Sequence, residues 1–432
     1  MLHHSVKLNN HPNIIIIITD QQRADAVGYV NPNIITPNLN KLASESIICT
    51  EAYVQSPQCQ PSRASILTGR YPTAHRVWWN ETRLSLNEKT IGNYLKDFGY
   101  STGYFGKLHI DTNKNHIETA QHFGFHNIFL SEDWQSLATG KLLHTNKSIS
   151  NKISEEFFGP MSTKTWTGKL TDRSFHHEDM ITDRAIQYIN SRTGPYLAII
   201  SYSGPHPPYA APGEYSNLYE LESLSVPDKK IPNLMGHILS DDEWRKLKQQ
   251  YYGSISWIDD NIGRIINIDP TAIIVFLSDH GDILGDHGLF SKGIYTYDGN
   301  IKIPLLFKIP GIDPFKYDHL VQAIDILPTL LDIVGVKIPV GVQGKSLISH
   351  FNNNTIANHY VISMLCHSDR LRMLRTKSLK YWIQGNKEYL YDLINDPYEN
   401  NNIVNDLNTL NRVRFQLLKA LILCEDPLPT PH

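Results

Sequence analysis

Apolar and polar positions along the 432-residue chain sort into short unbroken runs and longer amphipathic stretches. Five runs, at 14–18 (IIIII), 100–105 (YSTGYF), 196–202 (YLAIISY), 272–277 (AIIVFL) and 304–309 (PLLFKI), predict strands. Near-continuous apolar character suits strands buried on both faces, as in a parallel sheet covered by helices. Helices are predicted at 37–47, with Pro37 in the first turn behind Thr36 as N-cap, at 62–68 after Pro61, and at 241–266, which opens on acidic residues. Strands alternating with helices imply βαβ units and an α/β fold with a mostly parallel sheet. The stretch 109–180, rich in His, Asn, Ser and Thr and without a clear period, reads as loops and insertions. Three asparagines at 352–354 interrupt the pattern and predict a linker. Beyond them, strand-like runs at 371–384 and 388–393 and a helix near 405–424 predict a small α+β subdomain. The chain therefore divides into a large α/β domain, 1–352, and a C-terminal subdomain, 353–432.

Composition narrows the function classes. Forty Lys+Arg against 43 Asp+Glu leave a net charge of −3, so no basic field points to nucleic acid or an anionic membrane. Hydrophobic residues at 41% and charged residues at 19% fit a folded protein rather than a disordered one. The four cysteines, Cys49, Cys59, Cys366 and Cys424, are too scattered for a disulfide framework or a paired-cysteine zinc site. The longest aliphatic run, 14–18, is far short of a membrane span, and the first residues lack the charged-then-apolar pattern of a signal peptide. A soluble, cytoplasmic, enzyme-sized protein of undetermined oligomeric state is the expectation. The glycosylation-type triplets at Asn80, Asn146 and Asn353 add nothing to it.

Chemistry gathers where predicted strands end. The first ends in Thr19-Asp20-Gln21, the second runs into Lys107 and His109, the third into His206, and the fourth into Asp279-His280. Ligands bind at the carboxyl ends of strands in open α/β sheets, so this edge predicts a metal-assisted or acid/base site. Asp20, Asp279 and His280 carry the donors of a divalent-metal site, and Gln21 adds a carbonyl oxygen. Asp282, Asp286 and His287 follow closely and compete on paper, but a turn such as HGDILGDHG uses Asp to bond its own backbone. In 56–70, SPQCQPSRASILTGR, Pro61 just inside a helix start sets Cys59 beside exposed backbone N–H groups, and Arg63 adds a fixed positive charge.

C-x-P-S-R followed by A-x-x-L-T-G-R resembles the signature of type I sulfatases, of the alkaline phosphatase superfamily, in which that cysteine is oxidised to formylglycine. The blocks PNIIIIITDQQRAD, TPNLNKLASES, TIGNYLKDFGYSTGYFGKLH, YYGSISWIDDNIGRI, FLSDHGDILGDHGLFSKG, IPLLFKIPG and EYLYDLINDPYENNNI resemble the family's, in the family's order. The resemblance implies an alkaline-phosphatase-like α/β domain with a small antiparallel-sheet subdomain, matured by a formylglycine-generating enzyme. It implies a small-molecule or saccharide sulfate ester as substrate, and a formylglycine at 59 whose gem-diol attacks sulfur. Asp20, Gln21, Asp279, His280 and residue 59 match the metal positions, with Ca2+ favoured and Mn2+ or Mg2+ as alternatives. Arg63 matches the group that holds the gem-diol, and Lys107 and Lys292 match the lysines that clamp sulfate oxygens. His109 matches the base of aldehyde regeneration, and His206 the residue that contacts the ester oxygen.

Gln21 and His280, where many members have Asp and Asn, recur in bacterial branches resembling choline sulfatases and phosphonate monoester hydrolases. Asn80, in VWWNET, falls where the phosphonate branch places a substrate-contacting Asn, whereas Lys107 and His109 are sulfatase-like. Sulfate ester hydrolysis is the reading. Phosphonate or phosphodiester hydrolysis at the same site is the alternative, followed by an inactive metal-binding homologue. A hydrolase using plain Cys59 as thiol has no paired His in the sequence. Trp78, Trp79 and Trp134 read as packing residues before they read as ring-stacking ones.

Overall fold

The computed structural model describes residues 11–111, 115–131, 167, 177–232, 237–367 and 369–428. Residues 1–10, Trp134, Asn146 and most of the predicted 109–180 insertion lie outside the described residues.

The isoleucine run forms β1 (Ile14–Asp20), buried along its whole length. Strand geometry sends alternate side chains to opposite faces. Ile14, Ile16 and Ile18 join one apolar cluster with Ala64 and Leu67 of the helix Cys59–Thr68 and with Leu327 and Leu330 of the helix Ile326–Ile333. Ile15 and Ile17 join a second cluster with Ile181 and Ala185 of the helix His177–Asn190 and with Ile258 and Ile262 of the helix Asp241–Ile266. The result is helices on both faces of a sheet, with each buried Ile contributing roughly 1.5–3 kcal/mol of transfer free energy.

The remaining strands of this sheet are β2 (Ile47–Tyr53), β3 (Ser101–Gly106), β4 (Asn127–Leu130), β5 (Tyr196–Pro205), β6 (Ile273–Ser278), β7 (Leu305–Lys308) and β8 (Phe315–Gln322). Their spatial order is β4-β3-β5-β1-β6-β7-β2-β8, and β1 lies parallel between β5 and β6. β7, the run at 304–309, is antiparallel to both neighbours, so the sheet is mixed. An apolar run reports burial on two faces and carries no information on direction.

Three strands differ from the sequence reading because their composition hides them. β8 alternates apolar with charged positions over its first half, β2 is interrupted by Thr50 and Glu51, and β4 is four residues long. The helix expected at 37–47 stops at Ser44, since Ile47 already starts β2, and the Thr36 hydroxyl accepts from Gly28 N (2.7 Å) rather than capping that helix. The predicted loop 109–180 contains the helix His116–His122, β4, and the first turn of the helix His177–Asn190. The 241–266 helix starts on a capping box, in which Ser240 Oγ accepts from Glu243 N and Glu243 Oε2 from Ser240 N.

A second sheet, β9 (Val361–Cys366), β10 (Arg370–Arg375), β11 (Leu379–Gln384) and β12 (Lys387–Asp392), is antiparallel throughout. One face carries Val361, Leu365, Met373 and Trp382 into the main core cluster. The other packs Met364, Leu374 and Leu390 against Leu410, Val413 and Leu417 of the terminal helix Leu407–Leu423. Met364 N donates to Gln55 O (2.8 Å), and Arg375 Nη2 meets Glu51 Oε2 (2.6 Å). Of the predicted linker, 352 and 353 end the helix Ile348–Asn353, and Asn354 follows in the left-handed region. No helix among the described residues is long and apolar enough to cross a membrane.

Candidate active site

Four adjacent parallel strands, β3-β5-β1-β6, finish at nearly one level. Asp20 lies opposite Pro205, Thr19 opposite Ser278, and Gly106 opposite Ser201. The register brings Asp20, Lys107, His206 and Asp279 to one edge, where α/β sheets open a crevice for ligands. Gly106 lets the chain turn there: its φ is +107°, and a Cβ would sit 1.9 Å from Ser201 O. Gln21 and His109 also take positive φ (69° and 46°), the sparsely populated backbone that clusters at functional sites.

Cys59 sits in the first turn of a helix buried on every side. Arg63, four residues on, fixes that helix to the sheet. Its Nε donates to Asp279 Oδ2 (2.7 Å), Nη2 to Asp20 Oδ2 (3.3 Å), and Nη1 to Lys107 O (2.6 Å) and Ser201 Oγ (2.7 Å). Ser62 Oγ adds a bond to Asp279 O (2.5 Å). The Asn80 amide accepts from Gln60 N (3.1 Å) and donates to Gln58 Oε1 (3.4 Å), so its contacts go to the two residues flanking Cys59.

The Cys59 sulfur lies 2.6 Å from Lys292 Nζ, 3.1 Å from His280 Nε2 and 3.8 Å from Asp20 Oδ1, and both His109 and His206 hydrogen-bond it. Burial alone would push this thiol up; Lys292, Lys107 and His280 outweigh it and hold the group well below the usual thiol range. Burial and the Cys59 charge likewise push Asp20 up, yet Lys107 (2.5 Å), His206 and Arg63 keep it far below an ordinary carboxylate. His206 is lowered, first by burial and then by Lys292.

Donor atoms of Asp20, Cys59, Asp279 and His280 all lie within 4.8 Å of one another. His280 Nδ1 donates to Gly281 O (2.8 Å), so Nε2 is the nitrogen turned to the site; burial lowers the ring's pKa, and Asp279 and Cys59 outweigh it and raise it when no cation is bound. Gln21 Oε1 is buried and has no hydrogen-bond partner. An orphaned carbonyl oxygen costs about 1–3 kcal/mol, and a cation removes that cost. Two carboxylates, an amide oxygen and a neutral imidazole fit a divalent ion.

The competing acids are spent on other partners, Asp282 through Oδ2 on the Gln21 amide nitrogen (2.6 Å). Asp282 Oδ1 accepts from Leu284 N (2.7 Å), Asp286 pairs with Arg23 (2.6 Å), and His287 stacks on Tyr297 (3.8 Å). Trp79 packs at a tilt against His367 (ring centroids 4.1 Å apart), and Trp78 lies under Arg372 (5.5 Å). Ser62 and Ser291 stand inside the quoted motifs without their contacts being legible there, and Ser201 and Tyr209 give no signal, because all four act by contacts between segments far apart in the chain.

A family model described as Sulfatase matches residues 12–336, and one described as N-sulphoglucosamine sulphohydrolase, C-terminal, matches 285–425. An arylsulfatase of Clostridium perfringens is 31% identical, with 95% of this chain and 94% of that protein covered. An ulvan-active sulfatase of Formosa agariphila is 30% identical over 91% of this chain and 77% of its own length. The fold is shared with a phosphonate monoester hydrolase from Silicibacter pomeroyi, at a TM-score of 0.81, 23% identity and 96% coverage of both chains. On the match to residues 12–336 and on these relatives, the chain belongs to the sulfatase family, within the alkaline phosphatase superfamily.

Proposed function

We propose that this sulfuric ester hydrolase cleaves a sulfate ester with residue 59, oxidised from Cys to formylglycine by a generating enzyme, as nucleophile, beside one divalent ion held by Asp20, Gln21, Asp279 and His280. The observation that carries the reading is the setting of Cys59, whose sulfur lies within 4 Å of Lys292, His280 and Asp20 at a buried helix start. The sulfur stands in for the formylglycine oxygens. As a hydrated aldehyde, residue 59 supplies an attacking hydroxyl and a second one through which the sulfate is later released. An ion held by Asp20, Gln21, Asp279 and His280 would lower the pKa of the attacking hydroxyl and offset charge on the sulfuryl oxygens. Ca2+ is favoured, with Mn2+ or Mg2+ as alternatives, and the nitrogen donor of His280 suits a transition ion better than Ca2+.

The chain's own groups do the rest. Lys107 and Lys292 hold the sulfuryl oxygens from the segments that follow β3 and β6, and Arg63 holds residue 59. His206 gives its proton to the departing ester oxygen. Burial and Lys292 disfavour that proton in the free protein, and an anionic ester restores it. His109, on the Lys107 loop, takes the proton of the second hydroxyl as the S-bearing oxygen leaves carbon. A saccharide or small aryl sulfate is the proposed substrate, in keeping with an arylsulfatase and an ulvan-active sulfatase among the relatives.

The second reading, a phosphonate or phosphodiester hydrolase, is favoured by Asn80, which falls where that branch places a substrate-contacting Asn, whereas Gln21 and His280 are shared with choline sulfatases as well. Intact-mass analysis of the Cys59 peptide, with kcat/KM on an aryl sulfate, a phosphodiester and phenylphosphonate, tests both. A formylglycine mass and preference for sulfur support the proposal. Preference for phosphorus by orders of magnitude replaces it with the second reading.

A further inference from the structure

Gln21 is gripped by its amide nitrogen. Nε2 donates to Asp282 Oδ2 (2.6 Å) and to Ser291 Oγ (3.0 Å), and Tyr209 Oη donates to the same Asp282 oxygen (2.7 Å). Gln21 and Asp282 are fully buried, with Tyr209 and Ser291 nearly so. An amide can be turned end for end with little change in shape, so the atom it offers depends on its neighbours. Asp282 Oδ2 accepts from both Gln21 Nε2 and Tyr209 Oη, and Oδ1 accepts from Leu284 N. Asp282 Oδ2 therefore demands the nitrogen end, and the oxygen end is left aimed away from it. That oxygen is the buried atom with no hydrogen-bond partner.

We propose that Asp282 is a positioning residue: its carboxylate fixes the Gln21 amide so that Oε1, and not Nε2, faces the Asp20–Asp279–His280 donor set. This rests on the divalent-ion reading above. The grip draws on three separate segments, since Tyr209 follows His206, Asp282 follows His280, and Ser291 precedes Lys292. Arg23 Nη1 reinforces it by donating to Asp282 O (3.0 Å) and Ile283 O (2.9 Å).

The arrangement makes a specific forecast for D282N. Leu284 N holds Oδ1, so the new Asn presents its nitrogen where Oδ2 was. Two NH2 groups then face each other, the Gln21 amide turns round, and an N–H points at the cation. Q21E in the D282N background restores the site, because both ends of a carboxylate accept.

The experiment measures Ca2+ and Mn2+ dissociation constants by chelator competition, and the melting temperature of the ion-free protein, for wild type, D282N, Q21E and D282N/Q21E. D282N is expected to bind about 10–100-fold more weakly, the usual effect of losing an outer partner of a metal ligand. The double variant is expected to recover most of that loss. Ion-free Q21E, with two carboxylates opposed, is expected to melt below wild type, and the double variant above Q21E. Wild type that binds the ion, with D282N within about threefold of it or the double variant no better than D282N, overturns this inference alone. Wild type with no saturable binding overturns the ion reading and this one with it.

Discussion

The Arg63 guanidinium meets the Asp279 carboxylate at 2.7 Å, and neither side chain reaches solvent. One helical turn from Cys59, this contact couples the helix to the end of β6, and the second bond to Asp20 couples it to β1. Replacing Arg63 by Ala leaves two buried acids facing an empty space. We expect a loss of about 3–5 kcal/mol in the denaturation free energy of the ion-free protein, as for other broken buried pairs. A loss below about 1 kcal/mol, within the range of an exposed pair, would show that Arg63 is not what holds the helix.

Cys59→Ala is expected to abolish turnover of an aryl sulfate while leaving the melting temperature within a few degrees of wild type, since the residue contributes little packing. Exhaustive chelation of the wild-type protein is expected to abolish turnover too, with recovery on adding back one divalent ion. Near-normal activity in Cys59→Ala, or activity indifferent to chelation, would refute the proposed chemistry.

His75 makes stability sensitive to acid. Val77 N donates to Nδ1 (3.1 Å), so Nε2 carries the proton and faces Ser65 Oγ (2.9 Å) on the helix that bears Cys59. Burial, helped by Arg70, holds its pKa at about 3. An unfolded His titrates near 6.5, so the unfolded chain binds the proton more tightly. Stability from this group is complete above about pH 6.5 and is lost as pH falls toward 3, with about 2 kcal/mol gone at pH 5. His75→Gln should shrink the difference in unfolding free energy between pH 7 and pH 5. An unchanged difference would rule His75 out as its source.

Two glycines separate conformation from space. Gly99 has φ +93° with nothing within 4 Å of where a Cβ would lie, whereas Gly106 has φ +107° and a backbone oxygen at 1.9 Å. Gly99→Ala should cost about 1–2 kcal/mol, the strain of a left-handed alanine alone. Gly106→Ala must also part β3 from β5, and is expected to cost several kcal/mol more and to lower kcat by moving Lys107. Equal costs in urea denaturation would show that the sheet edge yields freely.

Much of this was legible in the chain and some was not. β1, β5 and β6 announce themselves because burial on both faces demands nearly unbroken apolar runs, β3 shows through Tyr104 and Phe105, and the polar residues closing all four could be read off directly. β8, FKYDHLVQ, could not, since one partly exposed face dilutes its apolar signal. The direction of β7 was hidden because nothing in LLFK encodes it. Cys59 and Arg63 stood out through their spacing around Pro61. The bonds from Arg63 to Ser201 and from Gln21 to Asp282 did not, since each joins residues far apart in the chain that meet only after the sheet has assembled.

The bond from Met364 N to Gln55 O has a temporal meaning as well as a spatial one. Synthesis delivers the segment leading into Cys59 long before it delivers β9 and β10, so Gln55 and Glu51 wait for partners that are not yet made. In the finished fold Cys59 is 1% exposed, enclosed by Asp20, His280 and Lys292. The strands made last thus close the scaffold on the segment that leads into the Cys59 helix, which was made early.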